Sequence, residues 1–118
     1  MRSQRQLRVG EEIRHAIAEA IQRGDVPWQN NFSPKSVITV TEVQMSPDLK
    51  NAHVFIMPLG GIQIAETVRA LNDVAHFFKH YLAKHIQLRF IPQLTFKPDT
   101  SFDYAAKIDA LIEKGKKK

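Results

Sequence analysis

Cysteine is absent from this 118-residue chain, which excludes a disulfide framework, a cysteine-bearing zinc site and a thiol nucleophile together. No apolar run approaches the roughly 18 residues of a membrane span. The opening Met-Arg-Ser-Gln-Arg-Gln-Leu-Arg is basic, but no apolar stretch follows it to make a secretory signal. The cytoplasm is the expected location, with no membrane partner. Glycine is scarce, at five residues, and the pair Gly60-Gly61 lacks the GxxxxGK[ST] or GxGxxG setting of a phosphate-binding loop. HExxH and GxSxG are missing too, as are internal repeats and low-complexity segments. The residues therefore indicate neither an enzyme nor a cofactor, a metal or a small-molecule substrate.

What the chain does have is an uneven positive charge. Lys and Arg number 17 against 12 Asp and Glu, for a net charge of +5. The excess gathers in residues 62–97, where five basic side chains face two acidic ones and three of the five histidines also lie. A localised basic excess points to nucleic acid as the partner class, although a modest imbalance also serves solubility alone.

The length predicts one domain, residues 1–118, with a single core that needs no metal or disulfide support. Residues 6–23 read as an amphipathic helix with Val9, Ile13, Ala16, Ile17, Ala20 and Ile21 on one face and Gly24 just past its end. Arg2, Arg5 and Arg8, spaced by three, are a possible phosphate-contacting patch or simply a solvated terminus. Residues 25–35 are a loop by composition, and its Trp28 and Phe32 either pin it to the core or offer base-stacking rings. Residues 36–45 and 52–57 are strands joined as a hairpin through Ser46-Pro47-Asp48. From Gln63 the pattern is helical, with Ile64, Ala65, Val68, Leu71, Ala75, Phe78, Tyr81, Leu82, His85 and Ile86 on the core side. Period alone leaves open whether 63–86 is one helix or two.

Residues 88–97 then alternate as a half-buried strand, with Leu88, Phe90, Pro92, Leu94 and Phe96 inward and Arg89, Gln93, Thr95 and Lys97 outward. Pro92 predicts an edge strand, or a position where no ladder bond is needed. Thr100 with Asp103 matches a capping box, and Tyr104, Ala105, Ile108, Leu111 and Ile112 make a helical stripe before a basic tail at 114–118, expected to be disordered. The fold class is α+β.

If 63–86 is nearly continuous, Arg69, Asp73, His76, His80, Lys84 and Gln87 form a polar stripe with Lys79 beside it. Its only acid is Asp73, and a row of cations on a rigid element is what phosphate neutralisation needs. The RNA-contacting set is therefore Arg69, His76, Lys79, His80, Lys84 and Arg89, with Lys97 and Arg8 as outliers. Two other readings compete. One is a protein adaptor that pairs a sheet edge or the hairpin with a partner chain. The other is a metal-dependent hydrolase on Asp73, His76 and His80, although a fourth ligand is not evident.

Three blocks carry a resemblance over about Leu7 to Ile112. They are Val9-Gly10-Glu11-Glu12-Ile13, then Val43-Gln44-Met45-Ser46-Pro47-Asp48-Leu49-Lys50-Asn51-Ala52-His53-Val54-Phe55, then Leu88 to Phe96 with Asp99 and Ser101. In them the chain resembles ribosome-binding factor A. The resemblance implies a KH-like fold of type II topology, α-β-β-α-α-β, with a three-stranded sheet and a further helix at the C-terminus. It also implies a non-enzymatic assembly factor, expected to be monomeric, that binds the immature small (30S) ribosomal subunit and its RNA. Such a factor supports maturation of the RNA 5′ end, notably in the cold. The family joins its second and third helices through an Ala-x-Gly kink, where this chain has Val74-Ala75-His76. Without glycine or proline there, the backbone is expected to stay close to helical with at most a modest bend.

Overall fold

The structure is a computed structural model and describes residues 2–101. The predicted helical stripe at 104–112 and the basic tail at 114–118 lie outside the described residues. In chain order the elements are α1 (Gln4–Gln22), β1 (Ile38–Met45), β2 (Asn51–Pro58), a 3₁₀ turn (Leu59–Gly61), α2 (Ile64–Asp73), α3 (Ala75–His85) and β3 (Gln93–Pro98). This is the α-β-β-α-α-β order of the type II KH-like topology. The sheet order is β1-β2-β3, with β1 and β2 antiparallel and β2 and β3 parallel.

Alternation along β2 decides which face carries the core. Ala52, Val54 and Ile56 are fully buried, while His53, Phe55 and Met57 between them are partly exposed. Register extends that buried face across the sheet, with Val43, Val54 and Phe96 in one row and Met45, Ala52 and Leu94 in the next. The row register shifts between Val40 and Glu42, a bulge that leaves Val40 facing the core beside Ile56. The core joins this face to Ile13 and Ile17 of α1, Leu71 of α2, and Phe78 and Leu82 of α3. Leu94 and Phe96 are buried and Thr95 is exposed, as the alternation predicts.

Two contacts fix α1 on β1. Gln6 is buried and its side-chain amide donates to the Met45 carbonyl (3.0 Å), while its Oε1 accepts the Ser3 N–H (2.7 Å) in a capping box. One turn on, a Cβ added at Gly10 would stand 2.7 Å from the Val43 carbonyl oxygen. Glycine is what permits this close approach of helix to strand. Arg23 closes the helix, and Gly24 follows at φ 75°, as expected of a residue just past a helix end.

Three sequence expectations need correction. The strand predicted from Leu88 begins only at Gln93. Pro92 is buried but has no N–H to give, so the first link to the hairpin is Gln93 N–H to the Lys50 carbonyl (2.8 Å). Upstream of it Phe90 is 62% exposed instead of facing the core. In the helical region, Ala65 and His85 are exposed, while Thr67 and Ala70 take inward positions.

The third correction is at the junction. The 63–86 region is two helices, and the backbone leaves the helix completely at Val74 (φ −113°, ψ 25°). This negative-φ conformation lies close to the bridge region and needs no glycine. Val74 is buried, so its β-branched side chain is held in the core while the chain turns. Backbone bonds cross the break from Val74 N–H to Leu71 O (3.2 Å) and from Phe77 N–H to Val74 O (3.0 Å). The interruption is one residue long and no loop opens.

Candidate nucleic-acid interface

The site builds outward from α3. Phe78, Tyr81 and Leu82 are its buried side, Phe78 packing on Phe96 with ring centroids 5.1 Å apart. The same 3.6-residue period puts His76, Lys79, His80 and Lys84 on the opposite, exposed side. Four of the predicted contacts thus share one helix surface. Among the described residues, no acid pairs with Lys79 or Lys84, whose charges face solvent.

A lock to α1 sets the orientation of α3. The Tyr81 hydroxyl donates to Glu19 Oε1 (3.1 Å), which also receives Arg23 at 3.3 Å, and Arg23 lies 3.6 Å from Asp25. Burial, then the bond to Glu19, raises the Tyr81 phenol above its ordinary value, so it remains a donor. His85 stacks on Tyr81 with centroids 3.9 Å apart and its Nδ1 2.9 Å from the Tyr81 carbonyl oxygen. Arg23 pairs with both Glu19 of α1 and Asp25 beyond its end, and neither acid is paired with Lys79 or Lys84. Between α3 and the residues just past α1, a cleft of about 310 Å³ is lined by Arg23, Phe77, His80, Tyr81 and Lys84, with Asp25 as its one acid.

The remaining predicted residues are dispersed. The break at Val74 divides the expected stripe, leaving Arg69 and Asp73 on a different cleft, where α2 meets the 29–35 loop. Lys35 and Arg69 are balanced there by Glu66 and Asp73. Arg89 lies in the α3–β3 loop, at the mouth of a cleft also walled by Arg5. Lys97 pairs in register with Phe55, a side chain of the sheet face opposite the core. Arg8 is exposed on α1, away from its buried stripe. Arg2, grouped with Arg5 and Arg8 by spacing, lies before the helix and pairs with Glu42 at 3.1 Å.

The same break separates Asp73 from His76. Among the described residues, no group of three His, Asp or Glu side chains is placed to hold a metal ion. No described helix is long and apolar enough to cross a membrane.

Sequence reasoning passed over Asn72. Its amide donates to the Phe96 carbonyl (3.0 Å), and its carbonyl oxygen accepts the Phe96 N–H (2.8 Å). One side chain thereby occupies the free edge of β3 at its centre, a recognised way of blunting a sheet edge. Its only sequence signal is a polar residue next to the inward Leu71, which many surface positions share. Trp28 packs against the core and lies 5.0 Å from Phe32, which makes the pair a pin for the 25–35 loop.

Comparison with known proteins gives a consistent answer. A family model described as ribosome-binding factor A matches residues 5–112. The chain is 47% identical over 110 residues to ribosome-binding factor A of Paramagnetospirillum magneticum, covering 93% of this chain and 76% of that protein. Among solved structures it is similar to a putative ribosome binding factor A of Thermotoga maritima, with TM-score 0.66 and 28% identity over 86% of this chain and 92% of the other. It shares its fold with a homology model of the ribosome binding factor A of Thermus thermophilus, as fitted into the cryo-EM map of a 30S complex of that factor. There the TM-score is 0.60 and the identity 23%, over 77% of this chain and 91% of the other.

Proposed function

Because the chain belongs to the ribosome-binding factor A family, we propose that it is a non-enzymatic assembly factor that binds the immature small ribosomal subunit through its RNA. It acts in the cytoplasm as a single RNA-binding domain and a monomer, needs no cofactor, and supports maturation of the 5′ end of that RNA, notably in the cold. The observation that carries the reading is the surface of α3, where His76, Lys79, His80 and Lys84 stand exposed on a helix locked to the core. Cations held by a rigid element neutralise phosphates without a large ordering cost. Arg89, Arg69, Lys97 and Arg8 are lesser contacts, dispersed around that surface. The Thermus relative fitted into a 30S complex supports the choice of subunit.

The adaptor reading has less support. Asn72 occupies the centre of the β3 edge and a bulge interrupts β1, so neither edge offers a long unbroken row of backbone groups. Co-sedimentation from a lysate tests the choice. The protein should travel with free small subunits and be depleted from large subunits and whole ribosomes. In cells lacking it, small-subunit RNA should retain an extended 5′ end, more so in the cold. Sedimentation with no ribosomal particle, or unaltered 5′ ends at both temperatures, contradicts the reading.

A further inference from the structure

Phe90 departs from the rule its neighbours obey. Counting by twos from Leu94 and Phe96 assigns it to the core, yet its ring is 62% exposed. The loop carrying it is not loose, for Leu88 and Ile91 pack against the core and Pro92 is buried. A rigid loop therefore holds an aromatic ring in water, which is unfavourable for the isolated protein.

The facing wall carries a second anomaly. Leu49, in the β1–β2 turn, has φ 61°, a left-handed conformation that a bulky side chain rarely adopts. The turn is held there by Leu49 N–H to Ser46 O (2.9 Å) and by the Asp48 carboxylate, which accepts from the Ser46 hydroxyl (2.6 Å) and the Lys50 N–H (3.0 Å). Backbone strain that the surroundings over-determine gathers at ligand sites. Between Leu49 and Phe90 lies a cleft of about 300 Å³, walled also by Arg5 of α1 and Arg89 of the α3–β3 loop. Neither arginine pairs with an acid among the described residues.

We propose that this cleft takes one nucleotide of single-stranded RNA, its base stacked on Phe90 and its phosphates against Arg5 and Arg89. An aromatic face accepts any base, and the planar guanidinium matches phosphate in paired hydrogen bonds. Asp48, the one acid on the wall, is committed to its own turn, and its charge directs phosphate toward the arginine side. The volume is at the small end of ligand sites, enough for one nucleotide and not for a folded RNA element. This inference rests on the RNA-binding reading above and adds a contact separate from α3.

The test uses the full chain, a six-nucleotide single-stranded RNA, and an abasic oligomer with the same number of phosphates. Phe90→Ala should weaken binding of the RNA by about 5- to 150-fold, the range for loss of one stacked base. It should leave the abasic oligomer and the salt dependence unchanged, and Phe90→Tyr should retain wild-type affinity. Arg5→Ala with Arg89→Ala should weaken both oligomers. Equal loss on both oligomers with Phe90→Ala, or no loss on either, overturns the pocket while RNA binding itself stands. So does unchanged RNA affinity combined with lost co-sedimentation, which would make Phe90 a contact for protein. If the wild-type chain binds neither oligomer, the RNA-binding reading falls and the pocket with it. Thermal melts of the Phe90 variants should match wild type, because the exposed ring contributes little to the core.

Discussion

Asn72 is the side chain on which the free edge of the sheet depends most. It meets both backbone groups of Phe96, whose ring is itself buried against Phe78. Replacing Asn72 with Ala leaves that N–H and carbonyl without their protein partner, and the expected destabilisation is about 1–3 kcal/mol. Denaturant melts check it, with an unchanged slope and a lower midpoint as the expected form. A midpoint equal to wild type would mean that water replaces the asparagine without loss. Phe90 is the contrasting case at this scale. Both were illegible in sequence for the same reason, since alternation and helical period report which face a residue is on and not what a loop or a polar side chain does at the edge. Phe96 was legible because it sits in the middle of a regular strand. The inward assignment of Phe90 failed because the regular strand begins three residues later, beyond a proline that gives no N–H to the ladder.

Among the elements, the α2–α3 pair decides where the charges lie. The sequence period ran through 63–86 without a visible stop, and helix propensity alone favoured continuity across Val74-Ala75-His76. Tertiary packing won over propensity. Val74 is held in the core and takes a bridge-like conformation, so the helix ends and restarts around one residue. The consequence for the site is division of the predicted stripe, with Arg69 going to the 29–35 loop and His76, Lys79, His80 and Lys84 staying together. Amide exchange tests the break. Ala75 and His76, the first two residues of α3, occupy positions whose N–H groups lack an intrahelical partner, and should exchange faster than Leu71 and Leu82. Phe77, bonded to the Val74 carbonyl, should be slower than either. Uniform protection from Leu71 to Leu82 would contradict a break, and fast exchange through Phe77 and beyond would indicate an open loop.

The molecule as a whole is a sheet covered by helices on one face, with its exposed cations distributed unevenly around it. Fold order and core were readable because β2 alternates cleanly and α1 carries a regular apolar stripe, patterns that survive any rearrangement of loops. The site was readable only where it lay inside one element, as on α3. Contacts assembled from separate elements, such as Arg5 with Arg89, depend on tertiary geometry that spacing does not report. The central claim is that α3 meets phosphate, and its most direct test is the salt dependence of RNA binding. Each phosphate neutralised on single-stranded RNA contributes about −0.7 to the slope of log K against log salt. Replacing Lys79 and Lys84 together by Ala should flatten the slope by about 1.4, whereas deleting Lys117 and Lys118, an equal charge at the chain end, should alter it much less. Equal flattening by both changes, or none from the Lys79 and Lys84 pair, would contradict the account.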